Sequence, residues 1–151
     1  MLQTILSEVQ QTRITVQRSM TIIYRAQTLL SEARLQYEQI GRLQKELDQL
    51  RAEAIQAQSE SLRQNERLRD ITTRISSESD SQQLETLRLE ENEIRLLIQE
   101  NLQNEALRQE RESQINNELR GGQTRLAELN RQIAVLEREL PVLDKIERSR
   151  R

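Results

Sequence analysis

Apolar residues return every seven positions along much of this chain, and few folds accept such a period. With Val16 at position a of a heptad, Ile23, Leu30 and Tyr37 also fall at a, while Ala26, Ala33 and Ile40 fall at d. Apolar a and d columns form a seam on one side of a helix, and a second helix must cover it. Beyond Ile40 the d column continues as Leu47, Ala54, Ser61, Leu68 and Ile75. The a column turns polar at Gln44, Arg51, Gln58 and Asn65, and apolar residues move one place earlier, to Leu43, Leu50, Ala57 and Ile71. This spacing predicts a stripe that rotates around one helix running from about residue 3 to about residue 76.

Composition closes the other routes. The chain has 151 residues, 34% hydrophobic and 32% charged, with no Phe, Trp, His or Cys. Tyr24 and Tyr37 are its only aromatics, too few for the centre of a compact globule. Three glycines and one proline are too few for a turn-rich β fold or a glycine-loop α/β fold.

The second half repeats the period. Leu119, Leu126, Ile133 and Leu140 sit at a, and Ile115, Leu129, Leu136 and Leu143 at d. Traced backward, Leu84 and Ile98 are a, Leu87 and Ile94 are d, and the seam between is polar at Asn101, Glu105, Arg108 and Glu112. The halves are separated by Ser76-Ser77-Glu78-Ser79-Asp80-Ser81, which has no apolar residue. Ser and Asp compete for backbone hydrogen bonds and favour turns and caps. Asp80 with Gln83, or Ser79 with Gln82, has capping-box spacing. A turn over about 77–82 and a second helix over about 83–140 are expected.

A hairpin makes a checkable demand, because facing residue numbers in an antiparallel pair add to a constant. A turn centred near Ser79–Asp80 sets that constant at about 159. Ile40 then faces Leu119, Ala33 faces Leu126, Leu30 faces Leu129, Ile23 faces Leu136 and Val16 faces Leu143, each pair joining an a to a d. Tyr37 meets Gly122, and the polar second-arm zone meets Ala54 and Ala57. The expected fold is all-α: a long antiparallel coiled-coil hairpin, a single elongated rod bundled with further helices. Each arm spans about 105–115 Å at the helical rise. Gly41 and Gly121-Gly122 fall at one height, which allows either a shared bend or a close helix approach. Pro141 disfavours helix at Leu140, so a short, kinked basic tail is expected over 141–151.

Chemistry is largely excluded. Without His or Cys the chain lacks the usual general base, thiol nucleophile and soft metal ligands. No phosphate loop, dinucleotide fingerprint, EF-hand or zinc spacing is present. Glu90, Glu91 and Glu93 are the densest carboxylates, but adjacent helical positions do not converge on one ion. We therefore expect no enzyme, no cofactor, no metal and no small-molecule substrate. A net charge of −2 with interleaved signs, and no stacking aromatics, argues against nucleic acid. No apolar run reaches transmembrane length, so membrane insertion is not expected, and the start, Met1-Leu-Gln-Thr-Ile-Leu-Ser, lacks a basic n-region and a long apolar h-region, so no secretory leader is expected. The expected location is intracellular and soluble, in the cytoplasm or within a large assembly.

What remains is helix surface. Leu2, Ile5, Leu6, Ile22, Leu29, Leu43, Leu89, Leu96 and Leu107 lie off this seam and are the candidate partner-binding residues. They imply protein partners, as a homo- or hetero-oligomer formed by helix packing. The function expected is that of a structural, scaffolding subunit of a larger complex. Two alternatives share the sequence: a transport or chaperone adaptor that binds cargo on its open apolar stripes, and a parallel homodimeric tether with an unbroken helix.

Overall fold

The computed structural model describes residues 1–148, and the side chains of residues 1–140. Apart from Met1 and the three residues Glu78–Asp80, these form two helices, α1 (Leu2–Ser77) and α2 (Ser81–Arg148). The two long helices pack against each other as a helical hairpin, without strands among the described residues. The unbroken helix required by the parallel tether is not formed, because α1 stops at Ser77. The turn is tighter than its polar sequence suggests, since Ser77, Ser81 and Gln82 all join helices.

The turn is built from side-chain oxygens. No described residue has positive φ, so α1 ends without a left-handed cap. Instead the Ser76 and Ser77 hydroxyls donate to the Thr73 and Arg74 carbonyls in the last turn of α1. Glu78 Oε1 accepts from the backbone N–H groups of Ser79 and Asp80, at 3.0 and 3.1 Å. Asp80 is the N-cap of α2: its Oδ1 accepts from the Gln82 N–H at 3.0 Å, and its carbonyl accepts the first helical bond, from Leu84. The anticipated capping box is thus half made. Glu78, not Gln83, satisfies the Asp80 N–H.

The described chain divides into two compact units. Unit 1 joins Met1–Arg42 to the chain from Leu119 onward, and unit 2 is Leu43–Glu118. In unit 1, Arg125 pairs with Glu32 at 3.3 Å, and Gly122 packs on Gln36 and Ile40. In unit 2, Arg111 pairs with Glu46 at 2.6 Å and Arg67 with Glu90 at 3.8 Å. The partners' numbers add to 157 in these three ion pairs on one edge and to 163 in Arg51–Glu112 on the other, so the antiparallel register brackets the expected constant.

The seam itself corrects the sequence reading of α1. Its first column is Ala26, Ala33, Ile40, Leu47, Ala54, Ser61, Leu68 and Ile75, as expected. The second is Ile22, Leu29, Gln36, Leu43, Leu50, Ala57, Gln64 and Ile71, which holds its seven-residue spacing without a shift. All of these except Ala54 are buried or half-buried. Val16, Ile23, Leu30 and Tyr37 are exposed, one place round from the seam. Ile22, Leu29 and Leu43, expected to await a partner, instead face the hairpin's own interior. The stripe therefore never rotates. A column reaching from Ile22 to Ile71 buries more surface than one that ends at Gln44, and it accepts the polar Gln36 to remain straight.

On α2 the expected frame holds. Leu119, Leu129 and Leu136 are buried, and Leu126 and Ile133 half-buried. Ile115 and Leu129 are sealed most fully, at 0% and 1% exposure. The Leu143 side chain lies outside the described residues. Helix α2 continues through Pro141 to Arg148 rather than ending at residue 140. Proline lacks one N–H, so it removes one rung of the ladder and leaves the carbonyls before it free to bond onward.

Gly122 also changes partner. A Cβ there would stand 2.8 Å from Gln36 Nε2 and 3.2 Å from Ile40 Cγ1. The close approach is real, but it is made to Gln36 and Ile40, not to Tyr37. Gly41 and Gly121 meet nothing within 4 Å.

Candidate protein-interaction surface

In unit 1, α1 carries a second heptad stripe. Leu2, Val9, Val16, Ile23, Leu30 and Tyr37 repeat every seven residues, and all are exposed, from 47% at Ile23 to 83% at Leu2. Between them, at the complementary spacing, stand Leu6, Arg13, Met20, Gln27, Arg34 and Gly41. At about 100° per residue this second stripe is centred roughly 100° around α1 from the seam. A helix in a bundle presents two such faces, one to each neighbour. The column beyond the stripe is Gln3, Gln10, Gln17, Tyr24 and Ser31, without a charge until Glu38. A chain that is 32% charged has left this sector almost neutral.

The opposite edge of the unit 1 seam is built differently. Glu32 and Arg125 bridge it, and an open groove of about 790 Å³ lies further along between Ile14, Arg18, Thr21 and Ile22 of α1 and Val135, Arg138 and Glu139 of α2. Charged side chains flank this groove on both helices. One edge of unit 1 is therefore bridged by an ion pair and flanked by charged side chains around an open groove, and the other carries the exposed apolar column of α1.

Unit 2 contains the polar zone foreseen in the sequence. A hollow of about 260 Å³ is lined by Ala54, Ala57 and Ser61 on α1 and by Asn101, Glu105 and Arg108 on α2. Small residues facing polar ones leave this part of the seam incompletely filled. Arg108 Nε is shielded there without a hydrogen-bond partner. One end of the zone is fixed by Asn101 Nδ2, which donates to Gln64 Oε1 at 2.7 Å. Gln64 is the buried polar residue of the core, at 8% exposure.

The remaining partner candidates are placed as follows. Leu2, Ile5 and Leu6 are exposed near the start of α1, and Leu2 and Leu6 belong to the second stripe. Leu89 and Leu96 are exposed seven residues apart on the face of α2 away from its seam, and Leu107 is exposed apart from them. Sequence reasoning divided the open residues from the buried ones incorrectly on α1. The continuity of the Ile22-to-Ile71 column was the signal that could have separated them.

Glu90 and Glu91 are engaged by Arg67 and Arg95. No group of three acidic, His or Cys side chains converges on a metal-sized site among the described residues. No described helix is long and apolar enough to cross a membrane. Compared with protein-family models, curated proteins and solved structures, the chain finds no match.

Proposed function

We propose that this protein is a non-enzymatic structural subunit, soluble and intracellular, that joins a larger assembly by packing its open helix faces against other helices. The observation that carries this reading is the second stripe of α1. Six apolar residues at strict heptad spacing stay exposed beside an edge that no ion pair bridges within unit 1 among the described residues; in unit 2 Arg51 and Glu112 bridge it. Leaving that much aligned apolar surface in water is unfavourable, by about 25 cal/mol for each Å² that a partner would cover. Aligned apolar patches of this kind mark interaction sites more often than scattered single residues do. Adaptor function through cargo binding is the second reading, favoured by Leu89 and Leu96 on the outer face of unit 2.

Native sizing of an extract from the source cell tests the assembly reading. The chain should run well above its own 17.9 kDa. Replacing Val16 and Ile23 with Asp should return it to the size of the free chain. If the unaltered protein runs alone under native conditions, the reading fails.

A further inference from the structure

We infer that the second stripe of α1 is the docking surface for a second copy of this chain, with the two α1 helices antiparallel about a two-fold axis between Ser19 and Met20. This deepens the assembly reading above and rests on it.

The occupant follows from the stripe's own pattern. A two-fold interface uses the same patch on both partners, so the patch must complement itself. Antiparallel pairing about the point between Ser19 and Met20 sets Leu2 against Tyr37, Val9 against Leu30 and Val16 against Ile23, so the whole apolar column is covered. Tyr37 is followed by Gln44 in that column, so a shift by one heptad would bring an apolar residue against the glutamine or past the helix start.

Charge selects the direction. Parallel, in-register pairing would stack Arg13 on Arg13 and Arg34 on Arg34. Like charges directly opposed in an apolar seam are unfavourable, and they are a standard means of excluding one helix orientation. Antiparallel pairing sets Arg13 beside Gln27 and Arg34 beside Leu6. Arg34 already finds a counter-charge in Glu38, at 3.4 Å on its own helix. The column Gln3, Gln10, Gln17, Tyr24 and Ser31 places no charge where the two copies close, and its next member, Glu38, is the carboxylate that pairs with Arg34.

The surface is also continuous with an existing interface. The column of Val16, Ile23, Leu30 and Tyr37 is one residue from the seam column of Ala26, Ala33 and Ile40. A second α1 laid there extends the unit 1 core, with no gap between them. The contact runs about 54 Å along the helix, a footprint of roughly 550 Å² per copy. Counted over both chains, this is about 1,100 Å², just under the lower end of stable specific interfaces at about 1,200 Å², as for a weak, reversible pair.

The chain has no cysteine, so site-directed cross-linking starts from a clean background. Light scattering on the purified full-length chain should give twice 17.9 kDa. Met20→Cys should cross-link to itself under mild oxidation. Leu6→Cys and Arg34→Cys should each stay uncoupled alone and cross-link when mixed. The pair Val16→Asp with Ile23→Asp should halve the mass while helical circular dichroism is retained; if that pair unfolds, the Met20→Cys result decides. Self-coupling of Leu6→Cys would overturn the inference in favour of a parallel pair. A monomer that binds phosphatidylcholine–phosphatidylglycerol vesicles through Val16 and Ile23 would overturn it in favour of a lipid surface. A monomeric purified chain that still runs large in the native extract would overturn the self-pairing alone and leave assembly with other chains standing.

Discussion

Asn101 reaches across unit 2 and donates its side-chain amide to Gln64, buried in a seam made mostly of Leu, Ile and Ala. An amide pair in such a place fixes which layers face each other, because sliding either helix would strand both groups. Gln64→Leu alone leaves the Asn101 amide without its partner and should cost about 1–3 kcal/mol. Adding Asn101→Leu should recover most of that loss, since two apolar groups replace two polar ones. Urea unfolding of the two single variants and the double variant measures the coupling. Additive losses would mean that the bond contributes nothing.

Gly121 and Gly122 are neighbours in sequence with opposite surroundings. Gly121→Ala adds a methyl in open space and should stabilise the helix by up to about 1 kcal/mol. Gly122→Ala presses on Gln36 and Ile40, so its propensity gain is offset and the net change should be near zero or unfavourable. Thermal melts followed by circular dichroism should show Gly121→Ala above the parent and Gly122→Ala at or below it.

The adjacent pair Ile22 and Ile23 tests which column lies in the seam. Ile22→Asp puts a carboxylate into the hairpin interior and should lower the melting temperature strongly. Ile23→Asp puts it on the open stripe and should spare the fold. The reverse order would restore the frame that begins at Val16.

Leu129 is among the most deeply buried side chains, and Leu96 is two-thirds exposed. Leu129→Glu should unfold unit 1 or bring its melting down by many degrees, because a charge would replace about 1.5–3 kcal/mol of burial. Leu96→Glu should leave melting unchanged. Circular dichroism on both variants separates a seam residue from a surface one.

Asp80 holds the start of α2. Asp80→Ala should cost about 1 kcal/mol by releasing the Gln82 N–H, whereas Asp80→Asn should retain most of the cap. Chemical denaturation of both variants reads the difference.

The hairpin was legible because its signals are local and redundant. A run of Ser and Asp marked the turn, and two heptad frames read separately agreed on one register. The facing of Gly122 by a large group was legible too, though not the identity of that group. The α1 frame was harder to read, because two apolar columns run side by side from Ile22 to Leu30. Over that short stretch the two columns are equally hydrophobic, and the next turn favours the exposed one, with Tyr37 where the buried one has Gln36. Only the long view decides, since one column ends at Gln44 and the other reaches Ile71. The open stripe was therefore partly taken for the seam, and part of the seam for the open stripe. A residue's own hydrophobicity does not say which of two adjacent helix faces meets the partner helix.

The unbroken Ile22-to-Ile71 column also limits how this gene can change length. One residue inserted into an arm would turn every layer beyond it out of the interior by about 100°. Seven added to a single arm would keep its face but leave the other arm a heptad short, with an overhang at the open end. Neutral insertions and deletions should therefore come as whole heptads matched between the two arms. Variants of this protein should differ in length by multiples of fourteen residues.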